Sequence, residues 1–217
     1  MLDIGVILIS LLIALALNNL KGKTSTLFRS IFFIPAVLSL VTVGLIWNEL
    51  FLRAFPPIGE ALGIEWLSKS ILGSPATAIF GILIVNLWQG CATPTVLLLA
   101  GLQSVPSDLY EAATIDGANA WQKFKNITVP FLIPIITMLV ITTTKGGLTI
   151  FDYIQAMTAG GPAQSTEAIG ILIYRHAMSE GKFAQSVAES MCLFVIVAIV
   201  SFLTIKISSK KEVGDDT

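Results

Sequence analysis

Charge is what this chain has least of. Only 12% of its 217 residues are Asp, Glu, Lys or Arg, against roughly 25% in an ordinary soluble domain. The formal net charge is −1, and a near-neutral chain with no basic stripe excludes a nucleic-acid partner. Histidine occurs once, at His176, so an H-E-x-x-H zinc site cannot be built. The two cysteines, Cys91 and Cys192, both lie in apolar runs and form neither a disulfide framework nor a metal cluster. No G-x-S-x-G elbow is present, which leaves a serine hydrolase without its nucleophile. Gly22-Lys23-Thr24 has the ending of a phosphate-binding loop, but Leu17 stands where that loop needs its first glycine. Neither an internal repeat nor a low-complexity tract occurs. These gaps exclude a catalytic centre, a nucleotide site and a cofactor of the common kinds.

What is abundant is apolar sequence, at 54%. That excludes disorder and exceeds what one soluble core requires, because a soluble surface must still face water. The class is an integral membrane protein. A transmembrane helix needs about 20 mainly apolar residues to cross the hydrocarbon. Five segments qualify: Leu2–Leu17, Ser30–Leu52, Ala76–Gly101, Thr128–Ile150 and Ala184–Ile207. The expected fold is an all-α, polytopic bundle forming one domain over residues 1–217. Within it, residues 103–129 form a loop on the side of the C-terminus and 208–217 a tail. The run Thr142-Thr143-Thr144-Lys145-Gly146-Gly147 interrupts the fourth segment.

Orientation follows from lysine and arginine. Lys21, Lys23, Arg29, Lys123, Lys125, Lys206, Lys210 and Lys211 fall on one side; Arg53, Lys69, Arg175 and Lys182 fall on the other. Eight against four places the C-terminus in the cytoplasm and the N-terminus outside. The first apolar run is no signal peptide, since its basic residues follow it rather than precede it. A span entering from outside at the initiator methionine leads us to expect a further helix upstream. On the outer side, Phe55-Pro56-Pro57 is expected to break the chain. Ile58–Ser70 then reads equally as an interfacial helix or as a loop anchored by Trp66. The sequon Asn126-Ile127-Thr128 falls on the cytoplasmic side, where it carries no meaning.

The unusual segment is the cytoplasmic loop. Ser107 is the expected N-cap of a helix over Tyr110–Ile115, Gly117 its stop, and Asn119 the start of a second short helix. Exposed Leu109, Ile115, Trp121 and Phe124 beside small alanines suit docking into a groove on a soluble protein. The competing reading is a helix lying on lipid. Asp108, Glu111 and Asp116 against Lys123 and Lys125 make the loop a poor ligand for an anionic leaflet.

At these residues the chain resembles the membrane subunits of binding-protein-dependent ABC importers. Their pattern of E-A-A, three residues, G, nine residues, I, one residue, L-P is met by Glu111-Ala112-Ala113, Gly117, Ile127 and Val129-Pro130, with valine the one departure. Phe151-Asp152, Thr158 and Gly160-Gly161-Pro162 resemble the F-D…T-x-G-G-P stretch of the sugar branch, the maltose-type and glycerol-phosphate-type subunits. The resemblance implies a coupling helix over Glu111–Gly117 seated in a cleft of a cytoplasmic ATPase dimer. It also implies a second permease subunit, an extracellular solute-binding protein and a sugar substrate, in the plasma membrane of a prokaryote. In this reading Glu111 takes a charge-assisted bond from a basic cleft residue, and Ala112 and Ala113 allow close approach. Asp116 and Ile127 belong to the same surface, Gly117 permits the bend, and Pro130 starts the next span.

Polar residues inside spans usually face a bundle interior or a water-filled path. Asn86 and Gln89 share one helix face in the third segment; Gly90 follows, and Pro94 offers a kink. Thr143 lies in the fourth segment beside Lys145, whose side chain either snorkels outward or pairs with Asp152. Asn86, Gln89, Gly90 and Thr143 are the expected substrate path, with helix–helix hydrogen bonding as the alternative. A stand-alone secondary transporter or channel would show inverted repeats and embedded ion ligands, and neither is present in the sequence.

Overall fold

The computed structural model describes residues 2–20 and 22–212, and no β-strand occurs among them. Lys21 and residues 213–217 of the expected tail lie outside the described residues, as do the side chains of Lys23, Lys210 and Lys211. In chain order the helices are α1 (Leu2–Asn18), α2 (Gly22–Val37), α3 (Leu40–Glu49), α4 (Phe55–Leu62), α5 (Ala78–Gly90) and α6 (Ala92–Ser104). They continue with α7 (Ser107–Ile115), α8 (Ala120–Lys123), α9 (Val129–Leu148), α10 (Asp152–Met157), α11 (Ile169–Tyr174) and α12 (Phe183–Glu212). π turns at Leu50–Ala54, Phe124–Thr128 and Arg175–Ser179 join or extend neighbouring helices.

Three stretches among the described residues are long and apolar enough to cross a membrane: Ala78–Ser104, Ala120–Leu148 and Phe183–Lys206. A fourth, Ser25–Val37 with Leu40–Leu62, passes only as a pair. Ile4–Asn18 is apolar but shorter. All five expected segments are therefore helical, with three corrections to their form. The second is not continuous but opens at Leu38 and Ser39, where Ser39 is extended at φ −62 and ψ 134. Pro35 in the last turn of α2 contributes, because it withholds a hydrogen bond from that turn. Phe55-Pro56-Pro57 does not break the chain. Both prolines sit in the first turn of α4, where a missing N–H costs little. The Thr-Lys-Gly run does not interrupt the fourth segment either, since α9 runs unbroken to Leu148. The hydroxyls of Thr142 and Thr143 bond back to carbonyls of the preceding turn and so stay within the helix.

The chain divides into two compact units. One comprises Met1–Ala36, Gly90–Thr144 and Ser201–Thr217; the other comprises Val37–Gln89 and Lys145–Val200. In the first, α1 packs along α6 around a core of Ile7, Ala14, Leu98, Leu99, Leu132 and Leu139. A Cβ on Gly101 would meet the ends of the Ile135 and Leu132 side chains of α9, so those two side chains fill the space that glycine leaves open. The buried Ser10 hydroxyl donates to the Cys91 carbonyl at 3.2 Å, and Thr95 Oγ1 donates to the same oxygen at 2.7 Å. The helix turns at Cys91, three residues before Pro94, which has no N–H to return to Gly90.

In the second unit α10 packs on α3, and the core is Val43, Phe51, Ile82, Val85, Tyr153, Ile154 and Met157. Gly44 marks the contact: a Cβ there would lie 2.7 Å from the Ala156 Cβ. Asn48 donates from Nδ2 to the Met157 carbonyl at the end of α10. The Trp47 ring meets Phe51, Phe55 and Trp88. The stretch after α4, which the sequence left open between helix and loop, is divided. Helix ends at Leu62 on a left-handed Gly63, and turns follow.

Candidate functional site

The loop over residues 103–129 folds as a helical hairpin within the first unit. Helix α7 begins at Ser107 with Pro106 as its N-cap, one residue earlier than the sequence suggests. The Ser107 hydroxyl therefore points to Asp108 instead of capping. The C-terminal end is closed by two backbone bonds: Gly117 N–H donates to Thr114 O at 3.1 Å and Ala118 N–H to Ala113 O at 2.9 Å. This pair is the Schellman arrangement, which requires a left-handed residue between its donors. Gly117 supplies it at φ +76, and no heavy atom lies within 4 Å of where its Cβ would be. Glycine is needed there for its backbone alone.

The next helix starts where expected. The Asn119 side chain accepts from Gln122 N–H at 2.9 Å, and the Gln122 side chain accepts from Asn119 N–H at 2.8 Å. This is a reciprocal capping box. The element it opens is no separate short helix, however. Helix α8, the π turn at Phe124–Thr128 and α9 form one span from Ala120 to Leu148. Pro130 thus does not begin the span but lies inside it. The return from the wide π pattern, in which Val129 N–H donates to Phe124 O, falls next to the one residue that can donate to neither pattern.

Helix periodicity sorts the side chains of α7 into two faces. Outward lie Asp108, Glu111, Ala112 and Ile115, all exposed, Ile115 at 87%. Inward lie Tyr110 and Ala113, both half-buried. The adjacent alanines therefore serve different faces: Ala112 is on the exposed stripe and Ala113 is in the hairpin. Asp116 is exposed at the C-cap, and Ile127 and Pro130 are half-buried on the following helix. Trp121, 68% exposed, stands over Phe124 with ring centroids 5.7 Å apart. The result is an exposed surface of three carboxylates, Asp108, Glu111 and Asp116, with the Ile115 side chain and the Trp121 indole, and no lysine or arginine lies on the outward face of α7.

Sequence reasoning overlooked what holds the hairpin. The Tyr110 hydroxyl lies 2.8 Å from Thr128 Oγ1, and Lys123 Nζ donates to Thr114 Oγ1 at 2.7 Å. Thr114 Oγ1 in turn donates to the Tyr110 carbonyl at 2.6 Å. A signal was available: the partners stand at matching distances on either side of the Gly117–Asn119 turn, as an antiparallel helical hairpin demands.

The candidate substrate-path residues separate. Asn86 and Gln89 belong to the second unit, Gly90 and Thr143 to the first. Gln89 is buried and engaged at both ends. Its Nε2 donates to the Leu38 carbonyl at 2.9 Å, and its Oε1 accepts from the Tyr153 hydroxyl at 2.8 Å. Burial, with Asp152 beside it, pushes the Tyr153 phenol up to about 12. Tyr153 therefore stays a donor at neutral pH, which fixes the Gln89 oxygen towards it and the amide nitrogen towards Leu38. The physical reason is the opening at Leu38 and Ser39. A break in a membrane helix leaves backbone carbonyls that lipid cannot satisfy, and Gln89 satisfies one of them. Gln89 thus makes the kind of hydrogen bonding between helices that stood as the alternative to a substrate contact. Asn86 is half-buried on the same helix and has no hydrogen-bond partner among the described residues. Thr143 keeps its lone pairs while its proton goes to Leu139 O at 2.8 Å. Lys145 is exposed and forms no ion pair with Asp152.

The F-D…T-x-G-G-P stretch forms a compact loop. Thr158 Oγ1 and Thr166 Oγ1 are 2.8 Å apart, and Thr166 donates to the Gly161 carbonyl at 2.8 Å. Beyond it, His176 Nδ1 lies 2.8 Å from Glu189 Oε2, and Arg175 pairs with Glu167. The nearby Glu180 is held below the usual carboxylate range, chiefly by the hydrogen bond that Lys182 donates to it.

Several long apolar helices with few charges define a multi-pass membrane protein. Residues 6–210 match the family described as binding-protein-dependent transport system inner membrane component, and the chain belongs to that family. It is similar to the multiple sugar-binding transport system permease protein MsmF of Streptococcus mutans, with 46% identity over 98% of this chain and 73% of that one. The trehalose/maltose transport system permease protein MalF of Thermococcus litoralis is 35% identical over 92% of this chain and 68% of its own length. Among solved structures, a bacterial ABC transporter that imports the acidic polysaccharide alginate has a chain of the same fold. It superposes with a TM-score of 0.82 at 22% identity, over 93% of this chain and 71% of that one. The chain is a membrane component of a binding-protein-dependent importer, a transport permease and not an enzyme.

Proposed function

We propose that this chain forms half of the translocation path of an ATP-driven sugar importer and takes its driving motion from a cytoplasmic ATPase through α7. The observation that carries this reading is the outward stripe Asp108, Glu111, Ala112 and Ile115, presented by a helix whose end is fixed at Gly117. A carboxylate flanked by an alanine and a fully exposed isoleucine suits a cleft that offers one cation and one apolar pocket. In this reading residues 103–129 are the coupling loop of a single permease domain, and the C-terminus lies in the cytoplasm beside it. The stretch Phe183–Lys206 buries none of its most apolar window against the rest of the chain, which suits lipid and a second permease subunit. An extracellular binding protein delivers the solute to the outer loops.

A sugar is supported by the names of the relatives and by the available chemistry. The Asn86 amide and the Thr143 hydroxyl offer neutral hydrogen bonds suited to sugar hydroxyls, and Gly90 adds no side chain to its stretch of the helix. Gln89 shapes the path by holding the opening at Leu38. The reading is tested by co-purification. Glu111→Lys inserts and folds normally, yet recovers little ATPase and supports no uptake. Full recovery of the ATPase with this variant overturns the docking role.

A further inference from the structure

The hairpin ties α7 unequally to the two spans that flank it. On the side of the third span, α6 ends at Ser104 and is followed by Val105 at φ −69, ψ 123 and Pro106 at φ −59, ψ 133. Both are extended, and Pro106 has no N–H to donate. Among the described residues, the one backbone bond at this joint outside the helices runs from Leu109 N–H to Pro106 O, at 3.3 Å, and it lies within the start of α7 itself. On the side of the fourth span the connection is closed at every level. The Schellman bonds at Gly117 and Ala118 and the capping box at Asn119 and Gln122 lock the turn. Lys123 to Thr114 bridges the two helices near the turn, and Tyr110 to Thr128 bridges them at the far end. Thr128 is 5% exposed, so that second bridge is shielded from competing water.

We infer that α7 is a lever clamped to the fourth span and swivelled on the third, with Tyr110, Thr114, Lys123 and Thr128 as the positioning residues of the clamp. A pull on α7 then turns Ala120–Leu148 as a rigid arm, while the joint at Val105 and Pro106 absorbs the change in angle. Without the clamp, the same pull would bend the turn at Gly117 and leave the span behind. This inference rests on the reading of α7 as the ATPase contact, and its test separates the two.

The experiment uses the whole transporter, purified with its ATPase, second permease and binding protein and reconstituted in proteoliposomes. Solute carried per ATP hydrolysed is the readout. Tyr110→Phe and Thr128→Val each remove one end of the far bridge while keeping shape. Each is expected to lower solute per ATP roughly fivefold, the factor that one neutral hydrogen bond is worth, with ATPase co-purification unchanged. Thr128→Ser keeps the hydroxyl and restores the ratio, which a purely packing role for Thr128 would not produce. One glycine inserted between Val105 and Pro106 changes the ratio by less than about twofold, a swivel being tolerant of slack. An unchanged ratio in both Tyr110→Phe and Thr128→Val, or an insertion as damaging as they are, overturns the clamp. The docking reading is judged separately, by whether Glu111→Lys releases the ATPase.

Discussion

Gly117 permits a prediction whose magnitude comes from the backbone alone. Its φ of +76 lies in the left-handed region, and its Cβ position is empty out to 4 Å. A side chain there meets no steric obstacle, so the cost of Gly117→Ala is the conformational one, about 1–2 kcal/mol for an L-residue in that region. Asparagine tolerates the region better than alanine, and Gly117→Asn should cost less. Proline fixes φ near −65 and also removes the N–H that Gly117 donates to Thr114, so Gly117→Pro should abolish the turn. If ATPase docking requires the closed hairpin, a penalty of about 1–2 kcal/mol weakens association by about 5- to 30-fold. The assay is titration of the purified ATPase onto the permease in nanodiscs across the series Gly, Asn, Ala, Pro. The expected order of affinity follows that sequence, with melting temperature little changed because the site is exposed. Equal affinities for Gly, Asn and Ala would refute the claim that the left-handed cap sets the docking geometry.

Asn86→Leu is expected to lower solute uptake in cells while assembly, checked by co-purification, stays intact; unchanged uptake kinetics removes Asn86 from the path. Gln89→Leu leaves the buried Tyr153 hydroxyl and the Leu38 carbonyl unsatisfied, which should destabilise the protein by about 1–3 kcal/mol. Thermal unfolding in detergent checks this, and adding Tyr153→Phe should recover part of the loss because both partners of one bond are then gone. A single cysteine at Asp108, in a background lacking Cys91 and Cys192, should react with an impermeant maleimide only after the cells are permeabilised. Reaction in intact cells reverses the orientation assigned from the lysines and arginines.

Much of the architecture could be read along the chain because it depends on local and solvent-driven terms. Apolar run length located the three long apolar helices and the bent fourth pair, and glycine and asparagine at 117 and 119 located the turn of the hairpin, since a left-handed cap and an N-cap are properties of a few consecutive residues. The proline readings failed for the opposite reason. Pro56 and Pro57 read as a break and Pro130 as the start of a span, but a π turn beside each site shifts the hydrogen-bond pattern so that the missing N–H is tolerated inside a continuing helix. The opening at Leu38 was invisible because its carbonyl is satisfied by Gln89, 51 residues away.

That the chain is a membrane helix bundle with an acidic hairpin follows from residue order alone, because hydrocarbon demands long apolar helices and tight turns demand particular residues. Which polar groups are engaged and which are presented is set only when distant helices pack together. Asn86 and Gln89 are the same chemistry three residues apart, yet one is spoken for by a distant backbone and the other is not. Tyr110 and Thr114 read as ordinary helix residues until Thr128 and Lys123 are brought against them. Such pairings form across the fold, where distance in space is unrelated to distance along the chain, and no local pattern carries them.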